Sequence, residues 1–387
     1  MDKGLRSLDL RVASSGRAKH ERLRDHFVNE LIAGRLKPGQ AIPSEAHLVE
    51  SLGVARMTIR QAMGSLESEG LIRRVQGKGT FIEDDAQLKL RRGQDIFALV
   101  VPETRGGYYP SLLHGFEAAA GDIHYQTLIC GTNDDVGQQG NVILQLLDKK
   151  VGGVAINPSS LWTTPAFQVR QIQERGIPVV FCHRRVEGIS APLLAIPFYE
   201  AGRLAGKVLA ERGHQRAMFF SYQPSAATQA MEEGFREGLR ARGGDVSVYV
   251  VYTGGDSISA TEEMVWKGLQ GAFAGSDPPT AIYTTFDPLA EMTYLLMPEL
   301  GLRVPQDVSL VGFGGNWREG ALARRLTSVV VDEVATGQKA VSLLHEMRHG
   351  ERPIDDNEEF VLQLSLSDGK TLDAPASKIH GACNGKT

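Results

Sequence analysis

The stretch from Pro43 to Ile82, PSEAHLVESLGVARMTIRQAMGSLESEGLIRRVQGKGTFI, constrains the fold of this chain more than any other. Pro43 fits just before a helix or at its start but not inside one, and Ser44 can accept a hydrogen bond from the free N–H groups of a first helical turn. Leu48, Val49 and Leu52 give that helix an apolar face. Gly53 allows the sharp turn that a following helix needs. Ile59, Ala62, Met63 and Leu66 then fall at i, i+3, i+4 and i+7, so they face a core. Gly70 ends that helix. Leu71 to Val75 and Thr80 to Ile82 read as a hairpin tipped by Gly77, Lys78 and Gly79.

Helix, tight turn, helix and glycine-tipped hairpin are the layout of a winged helix-turn-helix, a shape that places one helix in the DNA major groove. Arg56 and Arg60 are four apart and lie together away from the apolar stripe, with Thr58 beside them. Two guanidinium forks on one exposed face suit guanine edges or phosphates. A lysine between two glycines can lay its charge along a phosphate backbone at close range. The candidate DNA contacts are therefore Ser44, Arg56, Met57, Thr58, Arg60, Gln61, Gly77, Lys78 and Gly79. The competing reading makes Arg56 and Arg60 an ordinary solvated helix face, and the flanking motif speaks against it.

Charge is distributed accordingly. The chain carries a net charge of -4 over 387 residues, yet residues 17–82 hold 11 Lys+Arg against 7 Asp+Glu, a net of +4 that leaves -8 elsewhere. A basic head on an acidic body is the asymmetry expected when only the head meets nucleic acid. Cys130, Cys182 and Cys383 are few and widely spaced, which points to a reducing compartment and not to a disulfide framework. The first twenty residues contain no apolar signal-peptide core, and no run approaches a membrane span, so a cytoplasmic protein is expected.

Residues 17–82 resemble the DNA-binding domain of the GntR family. The match is carried by IAGRLKPGQAIPSE, then GVARMTIRQAM, then GLIRRVQGKGTFI, in that order and spacing. The resemblance implies that Arg56, Arg60, the Thr58 position and the wing contact operator DNA. Two positions depart from the family pattern. Ala46 stands where an arginine often follows the Pro-x-Glu, which removes one phosphate contact. Ala55 stands where a Ser or Thr usually starts the recognition helix, and alanine cannot cap.

Beyond a polar stretch, 83–95, that reads as a linker, the chain changes character. IFALVVP, YQTLICG, VGGVAIN, IPVVFC, AMFFS, VSVYVV, TAIYTT and VSLVGF read as buried strands, with helical patterns between most of them. Repeated βα units imply parallel sheets covered by helices, and about 270 residues is enough for two such lobes. Residues 96–368 resemble the effector domain of LacI-family repressors, which has the type I periplasmic-binding-protein fold. The carrying motifs are GIPVVFCHRR, YEAGRLAGKVLAERGHQRAMFF, EEGFREGLRARG, LGLRVPQDVSLVGF and LTSVVVDEVATGQKAV. A GntR head on this body matches the AraR-type subfamily. The expected fold class is thus α/β with an N-terminal α+β part: a disordered arm (1–16), a winged helix-turn-helix (17–82), a linker (83–95), a two-lobed type I periplasmic-binding-protein-like domain (96–368) and a disordered tail (369–387).

The resemblance implies a small effector, a sugar or a sugar-like molecule, held between lobes that close by a hinge motion. Several polar positions used by sugar sites in this fold have changed. His183 and Arg184 replace the Asp-Arg after one strand, Pro197-Phe198 an Asp-Asn, Met231 an arginine, Phe286 the Asn before Asp287, and Gly314-Gly315 an Asp-Asp. Two readings stay open. Tyr108, Tyr109, His183, Arg184, Phe198, Met231, Phe286, Asp287 and Trp317 line a retuned cleft in which aromatic rings stack on the ligand and Arg184 holds an acidic group. Alternatively the cleft has lost its ligand, and the body only dimerises a constitutive DNA-binding protein.

One enzyme signal remains. His345, Glu346 and His349 match H-E-x-x-H, which on a helix can bind zinc with Glu346 as general base. Gly350 stops that helix at once, and Ala340, Leu344 and Met347 supply an apolar stripe that accounts for it as a structural element. There is no C-x-x-C pair, and QGKGT lacks the leading glycine of a P-loop. The sequence therefore predicts no enzyme, no metal and no cofactor. It predicts a ligand-responsive transcription regulator, in the repressing sense most common for this architecture, that binds double-stranded operator DNA as a homodimer.

Overall fold

The computed structural model of the protein describes residues 18–32, 34–86, 95–104, 109–159, 163–243, 245–253, 262–315 and 321–376. The chain divides into two compact units at Asp95 and Ile96. The head contains α1 (Lys19–Ile32), β1 (Ala41–Ile42), α2 (Glu45–Leu52), α3 (Arg56–Ser68), β2 (Ile72–Val75) and β3 (Gly79–Ile82). Its strands form one antiparallel sheet in the order β1-β3-β2. Leu23, Phe27 and Leu31 of α1 pack with Leu48 and Leu52 of α2 and with Ile59, Ala62, Met63 and Leu66 of α3, the stripe that the spacing specifies. Gly53 ends α2 at φ 62°, ψ 30°, and its N–H donates to Val49 O, a left-handed cap that costs least for glycine.

The head reaches past the sequence-expected boundary at 82. Glu83 N–H donates to Leu71 O at 2.9 Å, and Ala86 is fully buried in the head core. The first residues of the expected linker thus belong to the head, and 87–94 lie outside the described residues.

The body has two six-stranded sheets. The first lobe holds β4 (Ile96–Val101), α4 (Tyr109–Asp122), β5 (Gln126–Gly131), α5 (Val136–Asp148), β6 (Gly153–Ile156), α6 (Ala166–Glu174), β7 (Val179–His183) and β8 (Leu193–Ala195). The second holds α7 (Phe198–Glu211), β9 (Arg216–Ser221), α8 (Ala226–Leu239), β10 (Ser247–Tyr252), α9 (Glu262–Phe273), β11 (Ala281–Thr284), α10 (Asp287–Leu296), β12 (Ser309–Gly314) and β13 (Thr327–Val331). The chain then returns to the first lobe as α11 (Glu333–Arg348) and β14 (Glu359–Val361), and crosses again to end the second sheet as β15 (Leu364–Leu366). Sheet order is β14-β8-β7-β6-β4-β5 in one lobe and β10-β9-β11-β12-β13-β15 in the other, all parallel except β15. Three crossovers therefore join the lobes: between β8 and α7, between β13 and α11, and between β14 and β15. The central strands β4 and β6 are buried on both faces, as parallel strands under two helical layers must be, so they read as unbroken apolar runs.

The helices pack unusually close. A Cβ added at Gly202 of α7 would lie 1.9 Å from Met231 O of α8, and one at Gly234 would lie 2.0 Å from Tyr199 O. Gly206 and Gly238 repeat the contact one turn on, at 2.3 Å from Phe235 O and 2.1 Å from Arg203 O. Gly115 of α4 and Gly337 of α11 make the same approach in the first lobe.

The expected disordered tail, 369–387, is corrected for its first part. Gly369 packs against the Leu326–Thr327 backbone, and Thr371 is buried, donating to Leu310 O and accepting from Thr327 N–H. Asp373 O accepts from buried His214, whose other ring nitrogen meets Thr280 Oγ1 at 2.8 Å. Main-chain pairing with the second lobe supplies the order that the polar composition of this segment does not advertise. The residues from 377 onward, and 1–17 with the expected N-terminal arm, lie outside the described residues.

Candidate nucleic-acid interface and effector site

The interface is built on the first turns of α2 and α3. Ser44 Oγ accepts from His47 N–H at 3.3 Å, so its side chain caps α2. Ala55 occupies the cap position of α3 and makes no side-chain bond there, as its methyl group requires. Arg56 and Arg60 stand 70% and 60% exposed on α3, with Thr58, Met57 and Gln61 on the solvent side of the same helix. Gly77 and Gly79 hold φ of 75° and 112° at the hairpin tip, a conformation that favours glycine and leaves Lys78 between them.

Sequence reasoning missed the residue that organises this surface. Glu45 is half-buried and lies 3.4 Å from Arg60, 3.9 Å from Arg56 and 3.6 Å from Arg74 of the wing. Arg74 also meets Glu67 at 3.1 Å. One carboxylate thus lies close to three guanidinium groups, two from α3 and one from β2. No local spacing signals it, because Glu45 and Arg74 are 29 positions apart and only the fold joins them. We expect Arg60→Ala to cost about 1–3 kcal/mol of specific DNA binding and to relax base preference. Footprints of wild type and variant test this, and identical footprints would remove α3 as the reading helix.

In the body the sequence-predicted cleft residues separate into two groups. Tyr109 and Met231 are buried in the main hydrophobic core, and Met231 O sits directly beneath Gly202. Both pack in the core of the body. Phe198 opens α7 and lies 6.3 Å from the Phe313 ring, while Phe286 precedes α10 with its ring 6.0 Å from Tyr222. Asp287 is buried and accepts from Ser328 Oγ at 2.7 Å and from Gly315 N–H at 3.0 Å, tying α10 to β13 and to the end of β12. Gly312 makes room for it, since a Cβ there would lie 2.2 Å from Asp287 Oδ1. Arg184 donates to Pro158 O at 2.7 Å within the first lobe, so the expected contact to an acidic group competes with a backbone bond already made. Tyr108 and Trp317 lie outside the described residues.

His183 is the centre of a buried polar chain. It ends β7 with φ 70°, and its Nδ1 is 2.7 Å from Asn157 Nδ2 while its Nε2 is 2.9 Å from Glu333 Oε2. The tautomer with hydrogen on Nε2 satisfies both contacts, with Asn157 donating to Nδ1. Gln139 extends the chain, donating to Asn157 O and accepting from Thr164 Oγ1. Two acceptors at its heart, Asn157 Oδ1 and Glu333 Oε1, are buried and have no hydrogen-bond partner among the described residues. Asn157 follows β6 and Glu333 opens α11 directly after the β13 crossover, so the pair lies where the chain passes between the lobes. Neither residue carried a sequence signal of its own.

Among the described residues no group of three or more His, Cys, Asp or Glu side chains is placed to hold a metal ion. His345 and His349, the latter capping α11, lie with tilted rings whose centroids are 4.1 Å apart, and His349 Nδ1 donates to His345 O. Burial, and then the neighbouring His349, push the His345 imidazole below its ordinary value. Glu346 is held by Ser342 and Arg352. The H-E-x-x-H residues are therefore engaged in ending α11. Burial pushes the Cys182 thiol well above its ordinary range, which leaves it inert. No helix among the described residues is long and apolar enough to cross a membrane.

Comparison with known proteins agrees with this geometry. Residues 19–82 match the profile of bacterial regulatory proteins of the gntR family, and residues 207–371 match a periplasmic binding protein-like domain. The matched domains and the relatives mark a DNA-binding transcription regulator, not an enzyme. The chain joins a gntR-family DNA-binding domain to a periplasmic-binding-protein-like domain, and arabinose metabolism repressors of the AraR type are among its relatives. It is 26% identical over 356 residues to the arabinose metabolism transcriptional repressor of Geobacillus stearothermophilus, covering 90% of this chain and 96% of that one. It is 25% identical over 260 residues to the HTH-type transcriptional repressor PurR of Aliivibrio salmonicida, covering 66% and 76%. The dimeric Lac repressor with an 11-residue C-terminal deletion superposes with a TM-score of 0.61 at 17% identity, over 72% of this chain and 99% of that one. A periplasmic binding protein/LacI transcriptional regulator from Alkaliphilus metalliredigens complexed with D-xylulofuranose gives 0.60 at 19%, over 72% and 98%.

Proposed function

We propose that this protein is a homodimeric repressor that binds a two-fold-symmetric operator and releases it when a neutral, hydroxyl-rich small molecule closes the two lobes of its body. The observation that carries the ligand class is the pair of partnerless buried acceptors, Asn157 Oδ1 and Glu333 Oε1. Buried acceptors gain most from a ligand that donates hydrogen bonds, and a sugar hydroxyl does so without bringing charge. A phosphate or carboxylate would instead meet the Glu333 carboxylate. The names of the relatives support the reading: an arabinose metabolism repressor over nearly the whole chain, and a neighbour in fold that holds D-xylulofuranose. Two-fold symmetry in the protein would match half-sites one or more helical turns apart.

The test is thermal unfolding of the full chain against neutral pentoses and hexoses, sugar phosphates, sugar acids, nucleosides and small aromatics. At 100 times its Kd a ligand specific for the native state adds about 2.7 kcal/mol, enough for a clear shift of the body transition. We expect the hits among the neutral sugars. A panel without any hit would favour a body that only dimerises. Hits confined to sugar acids or phosphates would overturn the assigned class.

A further inference from the structure

We propose that Met57 reads the 5-methyl group of a thymine in the operator, and that it sets the sequence preference of this regulator beyond what the two arginines beside it supply. Among the described residues Met57 is the one large apolar side chain of the head that stands in solvent, 64% exposed. A single exposed apolar residue is ordinary on a protein surface. Its place is not ordinary. Met57 is the second residue of α3, and the N-terminal residues of a recognition helix are those that contact base edges. Arg56 precedes it, Arg60 follows three residues on and Gln61 four residues on, so it shares the exposed face with the polar contacts.

Glu45 sharpens the argument. It draws Arg56 and Arg60 toward one carboxylate at 3.9 and 3.4 Å. The two guanidinium groups thus lie toward the α2 side of the surface. Met57 is not among the buried and half-buried residues of the head core. Its thioether chain is unbranched and adaptable. In the major groove only thymine presents an apolar group, and apolar side chains pair with it there. Polar bases offer nothing to a methionine but a desolvation cost, so the same side chain selects for thymine and against cytosine at one step of each half-site.

The experiment uses the full chain and duplexes selected by it from a random pool. Each thymine of the selected half-site is replaced in turn by uracil, which removes the methyl group and keeps base pairing. Burial of one methyl group is worth roughly a three- to fivefold change in affinity. Wild type is expected to lose that much at one thymine per half-site. Met57→Ala is expected to bind the thymine and uracil duplexes equally at that position, while Met57→Leu retains part of the difference. Met57→Ala touches no core residue, and an unchanged melting temperature confirms its fold. Indifference of wild type to uracil at every position would overturn the proposal, and so would an unaltered uracil profile in Met57→Ala. A uniform loss of affinity in Met57→Ala with the profile intact would also overturn it.

Discussion

His183→Ala is expected to destabilise the body by about 3–5 kcal/mol, the cost of removing one partner from a buried charge-assisted pair. The imidazole is fully enclosed and bonds Asn157 and Glu333 at once. Alanine leaves the Glu333 carboxyl without its Oε2 partner, in a place where Oε1 already lacks one. Two neighbouring deletions should not add. His183→Ala combined with Glu333→Ala is expected to cost less than the sum of the single variants, because the second change removes the group that the first one strands. Urea denaturation of the four proteins measures this directly, and strictly additive losses would show that the two side chains do not act as a pair. His183→Gln, which can still donate to the carboxyl, should recover part of the stability.

Gly202→Val is expected to be comparably damaging for a different reason. Even the first carbon of the new side chain falls 1.9 Å from Met231 O, so α7 and α8 must separate. Overpacking of this kind costs about 1–3 kcal/mol when side chains can yield, and here the obstacle is backbone. The same construction at Gly206, Gly234 and Gly238 leaves no direction for the helices to slide. Calorimetry should show the body transition lowered by several degrees or lost, with DNA-binding residues of the head untouched. Gly271→Ala is the control, since nothing lies within 4 Å of its added carbon. Equal melting temperatures for Gly202→Val and wild type would contradict the packing described.

The head was legible because its information is local. A helix stripe at i, i+3, i+4 and i+7, a glycine at each turn and a hairpin tip are short-range patterns that survive in any single sequence. The central runs of the body were legible for the same reason, since doubly covered strands are continuously apolar; the runs at β5 and β10 proved to be half-exposed edge strands and not buried ones. What escaped was short or joined by the fold. β8, β14 and β15 have three residues each, too few for any period to show. Glu45 meets Arg74 only after a hairpin folds back, and Glu333 meets His183 across 150 positions. The burial of Tyr109 and Met231 in the core was likewise not readable from the sequence, where an aromatic and a thioether suit a core and a ligand surface equally well. The ordered start of the tail was invisible because its bonds, main-chain pairing together with the Thr371 hydroxyl and the His214 ring, reach residues distant in sequence.

The central claim is that one chain couples a DNA site to a ligand site. It is tested most directly by the affinity of the full-length protein for its selected duplex, measured by fluorescence anisotropy as a neutral sugar that raises the melting temperature is titrated in. Coupling of about 1–3 kcal/mol predicts an affinity lowered roughly 5- to 150-fold at saturation, and by linkage an equal loss of sugar affinity when DNA is bound. A sugar that saturates the body and leaves operator affinity unchanged would contradict the account.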